Sequence, residues 1–280
     1  MPAQNRSEDN NSARTGHIRV GIGGWTFEPW RGTFYPEKLP KTRELEYAAS
    51  KLTAIEINGT FYRGQSAKSF AKWHDETPDD FVFALKGHRA IAMKKKLAET
   101  GDSLDWFING GIAELKQKLG PILWQFAPSR VFDAEDIAAF LKLLPQEVDG
   151  LPLRHALEVR HESFLCEEFV DLASRHNAAI VYAESDDYPG LAEPTADFAY
   201  VRLMRTREEE RTGYSPSDLD AWAERARVFA HGDVPDDLQR LKGKGSICST
   251  DPHAVFIFFI AGAKVRNPHA AMELMARLDR

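Results

Sequence analysis

In the run Ala54–Asn58, Ile55 and Ile57 alternate with Glu56 and Asn58, the period-two signature of a strand. The flanking rhythm is that of an α/β protein, in which a strand is covered on both faces. A carboxylate and an amide on such a strand point into the protein. Burying a carboxylate costs several kcal/mol (order of magnitude) unless it is paired, so Glu56 and Asn58 mark a site. Similar groups close other strand-like runs: Lys86 after Phe81–Leu85, Gln125 within Ile122–Phe126, and Glu158 and Arg160 sharing a face, with His161 next. Glu184 and Asp186 end a sixth run and Arg202 a seventh. The inward set Glu56, Asn58, Lys86, Gln125, Glu158, Arg160 and Arg202 holds two acids and three bases, a formal charge of +1. Either these groups pair to brace the fold, or the unmatched charge serves a phosphate or carboxylate ligand, with arginine as the bidentate fork. In the second case Glu56 or Glu158 is the candidate catalytic acid or base, its pKa set by those neighbours. So many cations favour ionised Glu56, which makes it a general base or an orienting partner for Arg160.

Eight strand-like runs carry these groups: Arg19–Gly23, Ala54–Asn58, Phe81–Lys86, Pro121–Phe126, Ala156–Arg160, Ala179–Glu184, Phe198–Leu203 and Ala254–Ile260. Helical periodicity fills most intervals, over Arg43–Leu52, Ser66–Glu76, Leu104–Leu119, Ala134–Leu144, Glu167–His176, Ser217–His231 and Pro268–Leu278. Asp133 and Ser215-Pro216 are helix-start signals. Eight alternating units imply parallel pairing and a single α/β domain, a (β/α)8 TIM-like barrel over residues 17–280. The link between strands six and seven, Ser185 to Asp197, holds Pro189 and Pro194 and is too short and interrupted for a crossover helix. Residues 1–16 are polar and are expected to form a disordered tail. In such a barrel the catalytic groups gather at the C-terminal strand ends.

The first such loop, Gly21 to Pro36, crowds Trp25, Phe27, Trp30, Phe34 and Tyr35 behind Gly23-Gly24. Aromatics this dense either pack the loop onto the barrel or form a stacking wall for a sugar or base. Trp25, Trp30 and Tyr62 are the candidate wall, with Phe61 and Tyr214 able to extend it.

The chain of 280 residues is 43% hydrophobic and 28% charged, ordinary for a soluble globular protein. Its net charge of -6 argues against a whole-surface nucleic-acid binder, although a local basic groove remains possible through Lys94-Lys95-Lys96 and Arg205–Arg211. Two cysteines, Cys166 and Cys248, show no metal-type spacing, consistent with a reduced cytoplasmic protein. The most apolar run, Ala254–Ala263, is too short to span a bilayer as a helix, so no membrane partner is expected. Gly21-Ile-Gly23 lacks the third glycine of a dinucleotide fingerprint, and no Walker loop, HExxH or nucleophile elbow occurs. No cofactor is indicated, although Glu56, Glu158, Glu184 and Asp186 could hold Mg²⁺ weakly through waters.

Taken in order, Gly24-Trp25 through Trp30-Arg31-Gly32, Phe34-Tyr35-Pro36, Glu56-Ile-Asn58-Gly-Thr60-Phe61-Tyr62, Phe83-Ala-Leu-Lys86, Leu119 to Gln125, Glu158-Val-Arg160-His161-Glu-Ser-Phe164 and Tyr200-Val-Arg202 resemble the YecE-like family of TIM-barrel proteins. That family is also called domain-of-unknown-function family 72. The resemblance runs from residue 18 to the C terminus. It implies a TIM-like barrel and fold-level kinship with barrel sugar isomerases and endonucleases, and it carries no established activity. The family often has His two positions after the strand-seven arginine, where this chain has Met204. It often ends strand eight with Asn and Asp, where this chain reads Phe256 to Gly262, and Asn267 keeps the family pattern.

The expected protein is therefore an enzyme, a hydrolase, lyase or isomerase, acting on a small anionic, phosphorylated sugar-like or nucleotide substrate. Lys86, Arg160 and Arg202 would hold the anion. A glycosidase using Glu56 and Glu158 fits less well, because cations keep both acids ionised and one must be protonated. The alternative is a non-catalytic nucleic-acid or nucleotide binding module.

Overall fold

A computed structural model describes residues 17–241 and 253–279. The expected N-terminal tail and Cys248 lie outside these residues. The parallel strands are β1 (Ile18–Gly23), β2 (Ala54–Ile57), β3 (Val82–Lys86), β4 (Leu119–Gln125), β5 (His155–Glu158), β6 (Ala178–Ile180), β7 (Tyr182–Glu184), β8 (Phe198–Leu203) and β9 (Ala254–Phe259). They form one sheet in the order β6-β5-β4-β3-β2-β1-β9-β8-β7. Only Val181 separates β6 from β7, so one extended run occupies both edges of the sheet. Its first half pairs with His155–Leu157 and its second with Val201–Leu203. Val181 N–H donates to the Leu157 carbonyl at 3.0 Å. The sheet thus returns on itself, and this run stands in the sixth position of an eight-position barrel.

Helices cover the outside: α1 (Glu44–Ala49), α2 (Gly59–Tyr62), α3 (Ala67–Asp75), α4 (Arg89–Ala92), α5 (Gly101–Ile108), α6 (Ala134–Leu143), α7 (Glu167–Arg175), α8 (Pro216–Ala230) and α9 (Asn267–Leu278). The start signals read from the sequence are real caps. The Asp133 side chain accepts from Asp136 N–H, and Ser215 with Asp218 forms a reciprocal capping box. One helix differs from expectation. Leu104–Leu119 is not continuous: α5 ends at Ile108, and Gly111, at φ 105°, turns the chain into a 3₁₀ segment, Ile112–Lys118. A Cβ on Gly111 would lie 2.6 Å from Ala67 Cα, so the close approach of α3 admits only glycine there. Leu119 already belongs to β4.

The link between β7 and β8 contains no helix, as its prolines require. It is held by side-chain bonding instead: Thr195 Oγ1 donates to the Ala178 carbonyl and accepts from Ile180 N–H.

Strand periodicity separates two cores. Outward positions such as Ile55, Phe83, Ile122, Leu157, Val201 and Ile257 join the large cluster beneath the helices. Inward positions form a second cluster of Ala54, Ala84, Leu123, Ala156, Ala179, Val181, Phe198, Tyr200, Phe256 and Phe258. Small residues on β2, β3 and β5 leave room for the aromatics of β8 and β9. At Gly21 a Cβ would sit 2.0 Å from the Ala54 carbonyl oxygen, so β1 reaches its neighbour only without a side chain. This apolar layer seals the barrel. The next inward position along each strand, two residues on, is Glu56, Lys86, Gln125, Glu158 or Arg202.

Candidate functional site

Arg202 is the centre of the polar layer and is 1% exposed. Its Nε and Nη2 donate to the two Glu56 oxygens, each at 3.0 Å, and its Nη1 donates to Glu158 Oε2. Tyr200, two residues earlier on the same face, adds a hydroxyl donor to Glu56 Oε2 at 2.8 Å. Glu158 is a register partner of Gln125, whose amide donates to both of its oxygens at 2.9 and 3.0 Å. Arg160 Nε completes the set on Glu158 Oε1 at 2.7 Å. Both carboxylates are fully buried, and every oxygen has a donor. Burial raises the Glu158 pKa, but Arg202, Arg160 and Gln125 together hold it below the usual carboxylate range. Burial likewise disfavours the Arg202 cation, yet the flanking carboxylates raise its pKa, so it stays charged.

Above this layer opens a cleft of about 850 Å³. Of the residues singled out in the sequence, Trp25, Asn58, Tyr62, Lys86, Gln125, Arg160 and Arg202 line it. Glu56 and Glu158 do not; they lie beneath Arg202. Their arrangement suits positioning of the guanidinium groups rather than contact with a ligand. Glu158, and not Glu56, is the partner of Arg160.

Lys86 closes β3 with its backbone carbonyl held by Thr60 Oγ1 at 2.7 Å. Its Nζ donates to Gln125 Oε1 at 2.8 Å and lies 4.4 Å from the centre of the Phe61 ring. No carboxylate among the described residues lies within ion-pair distance of it. Burial, then the nearby Arg202, bring its pKa down to about 8. Arg160 lays its guanidinium over the Tyr188 ring at 4.1 Å, and its Nη atoms have no hydrogen-bond partner among the described residues. Asn58 occupies space that only glycine leaves: a Cβ on Gly23 would meet Asn58 Nδ2 at 2.9 Å.

The aromatic loop divides. Trp25 sits edge-on to Trp73 with ring centres 5.1 Å apart, and both face the cleft. Tyr62 stands at the rim, largely exposed. Trp30 is not part of the wall: it is fully buried against Phe27, Phe34 and Tyr35 and donates Nε1–H to the Lys264 carbonyl at 2.9 Å. Tyr214 is also elsewhere, its hydroxyl donating to Glu184 beside Trp222 Nε1. The four carboxylates considered for Mg²⁺ do not converge. Glu184 faces α8 through Trp222, Asp186 pairs with Arg205 at 2.7 Å, and Glu56 and Glu158 are taken by Arg202. His161 accepts from Ser163 N–H and caps a 3₁₀ turn, a scaffold role.

Strand periodicity missed several contributors, among them Trp73 on α3 and Arg63 just after α2. Tyr200 follows from Arg202 by the same period-two rule and could have been found. Tyr188 stands on a loop and Lys264 opens a short 3₁₀ turn, Lys264–Arg266, where no strand periodicity points to them. Lys264 lines the cleft over the Phe27 ring at 4.6 Å, its pKa lowered by burial. Asn267 joins the wall as well, bonded to Thr206 Oγ1 and the Phe259 carbonyl. It begins α9, whose positive end adds to the field of the cleft. Another cavity, of about 20 Å³ beside Ile180, Phe198 and Phe229, has room for little more than a water. Among the described residues, no helix is long and apolar enough to cross a membrane.

Comparison with known proteins places this geometry in a family. The chain is 26% identical over 201 residues to the UPF0759 protein YunF of Bacillus subtilis (strain 168), covering 70% of this chain and 68% of that protein. The crystal structure of a DUF72 family protein from Thermotoga maritima superposes with a TM-score of 0.69 at 24% identity, over 94% of this chain and 100% of that one. A DUF72 family protein from Enterococcus faecalis, solved at 2.52 Å, gives a TM-score of 0.67 at 16% identity, over 96% and 99% of the two chains. Residues 19–280 match the sequence pattern of one family along essentially the whole barrel, and the chain belongs to that family, described as protein of unknown function DUF72.

Proposed function

We propose that the cleft binds a small anionic substrate, a phosphorylated sugar-like molecule or a nucleotide, and that the protein is an enzyme acting on it in the cytoplasm. One observation carries this. Among the described residues lining the cleft, Arg63, Lys86, Arg160, Arg202 and Lys264 are cationic and none is Asp or Glu, on a chain of net charge -6. Concentrating positive charge in a cleft of an acidic protein favours an anionic ligand. Arg160 offers both unpaired Nη atoms, and Arg202 is fixed in place by its carboxylates, so little ordering is needed when an anion arrives. Trp25, Trp73 and Tyr62 offer ring faces for a sugar or base. Glu56 and Glu158 act as positioning groups. The group suited to proton transfer is Lys86, whose pKa of about 8 lies near neutrality.

The nucleic-acid alternative draws less support. Lys94 donates to the Glu99 carbonyl, Lys96 pairs with Asp133, and Arg207 pairs with Glu210 and Asp218, so these charges are engaged locally. The deciding experiment is thermal-shift titration at low salt with inorganic phosphate, a panel of phosphosugars and nucleotides, and single-stranded oligonucleotides. Phosphate or a phosphosugar should stabilise the protein, and Arg160→Gln should weaken that binding about 10- to 100-fold, the loss of one to two charge-assisted hydrogen bonds. Absence of any shift, or a shift untouched by Arg160→Gln, would sink the proposal. Binding of oligonucleotides alone, falling steeply with salt, would favour the alternative.

A further inference from the structure

Lys86 has surroundings that a purely anion-holding lysine does not need. It ends a rigid barrel strand, its backbone carbonyl is tied to Thr60, and its Nζ is aimed by the bond to Gln125 Oε1 at 2.8 Å. The residue is 8% exposed, yet it lines a cleft wide enough for a small metabolite. Its neighbours are a neutral amide and an aromatic face. The two carboxylates close by are fully committed to Arg202, Arg160, Gln125 and Tyr200. Glu56 and Glu158 still favour the Lys86 cation, but burial and the positive charge of Arg202 outweigh them. Desolvation and a neighbouring cation are the two influences that turn an ammonium into a nucleophilic amine. With a pKa of about 8, roughly one lysine in ten is unprotonated at pH 7.

Resting on the anion-binding proposal above, we infer that Lys86 is a catalytic nucleophile that captures the carbonyl carbon of a small phosphorylated aldehyde or ketone as an imine. The anionic end of such a substrate meets Arg160, Arg202 and Lys264, and the carbonyl end meets Lys86 Nζ. The lone pair of the neutral amine forms the N–C bond as the C=O π electrons move onto oxygen. A proton passes from nitrogen to that oxygen to give the carbinolamine. Loss of the hydroxyl with a second proton releases one water and leaves the C=N bond. The process consumes no oxidant or reductant, and hydrolysis reverses it. Protonation makes the imine an electron sink, which suits isomerisation or carbon–carbon lyase chemistry on the neighbouring carbon.

Reductive trapping tests this. The protein is incubated with glyceraldehyde 3-phosphate and sodium borohydride, and the labelled peptides are identified by mass spectrometry. Lys86 should carry a single adduct at aldehyde concentrations that leave Lys94, Lys95 and Lys96 unmodified. Its labelling rate should climb as pH rises through about 8, and excess inorganic phosphate should slow it. Lys86→Arg, checked for folding by circular dichroism, should lose the adduct, and Lys86→Met is a second, uncharged control for it. If Lys94–Lys96 label as fast as Lys86, or if wild-type protein shows an Arg160-dependent phosphate shift without a Lys86 adduct, the imine is overturned and the anion cleft stands. If neither phosphate nor the phosphorylated aldehyde shifts the melting temperature, the anion cleft fails, and the imine with it.

Discussion

Among the described residues two lysines are buried, and the fold treats them in opposite ways. Lys118, 1% exposed at the end of the 3₁₀ segment before β4, places its Nζ on the His74 carbonyl at 2.5 Å, the Thr77 carbonyl at 2.7 Å and Thr77 Oγ1 at 3.4 Å. Three acceptors satisfy the three donors of an ammonium. They also tie the end of α3 to the start of β4. Lys86, by contrast, has one neutral acceptor, one ring and an open cleft. The first arrangement fills every donor of the ammonium and uses it as a brace. The second leaves the charge under-supported beside space where a ligand fits. Burial alone does not mark a site; burial with unfilled donors beside a cavity does.

That contrast is easiest to break at Lys118. Lys118→Met strips three oxygens of their shared donor, and buried acceptors left unpaired cost on the order of 1–3 kcal/mol each. A loss of about 4 kcal/mol in urea unfolding is expected; a loss under about 1 kcal/mol would mean the brace is dispensable. Lys86→Met should act in the opposite direction. The folded pKa of about 8 lies below the unfolded value, so the native state binds fewer protons between about pH 8 and 10.5. Wild-type stability therefore rises with pH through that window, and below it the full cost of the buried charge is present. At pH 7 Lys86→Met should be more stable than wild type by up to about 3 kcal/mol, the equivalent of the pKa displacement. The gain should fade as pH climbs past about 10, and the variant should bind phosphate less well. A variant less stable than wild type at pH 7 would place Lys86 with Lys118 among the braces. The smallest effect should come from Phe61→Leu. Removing a ring 4.4 Å from the ammonium withdraws roughly 0.5–1 kcal/mol of support for the charged form. The pH midpoint of Lys86 labelling should then move down by less than one unit, and an upward move would contradict the cation–π contact.

Much of the polar layer was legible because strands have a rigid period. On each strand the alternation with apolar neighbours says which residues look into the barrel, which yields Glu56, Lys86, Gln125, Glu158 and Arg202. Asn58 and Arg160 stand two residues beyond Glu56 and Glu158, just past the ends of β2 and β5. The same rule would have supplied Tyr200. Periodicity does not say which inward group reaches solvent. Glu56 and Glu158 read as candidate acids or bases, yet Arg202 lies over them, because the long guanidinium spans the barrel where a carboxylate cannot. Loops carry no such rule. Trp25 and Trp30 are five residues apart in one aromatic loop; the first faces the cleft and the second is sealed beneath it, a difference set by tertiary packing. Lys264 and Tyr188 were invisible for the same reason. Among the helices, the failure at Gly110-Gly111 was marked in the sequence: two adjacent glycines inside a periodic run are a turn signal.

The seam of the barrel gives the ion pair a mechanical meaning. One short run, Ala178–Glu184, carries both closing ladders, and Glu158 and Arg202 belong to the strands on its two sides. The bond between them therefore works as a clasp across the joint of a hoop. Peeling the run away would cut both ladders and part the clasp in a single event, leaving Glu158 with Arg160 as its one cation and Arg202 with Glu56 alone. Loosening at that joint would therefore disturb the polar layer that floors the cleft, so the closure of the barrel and the placement of Arg202 depend on the same joint.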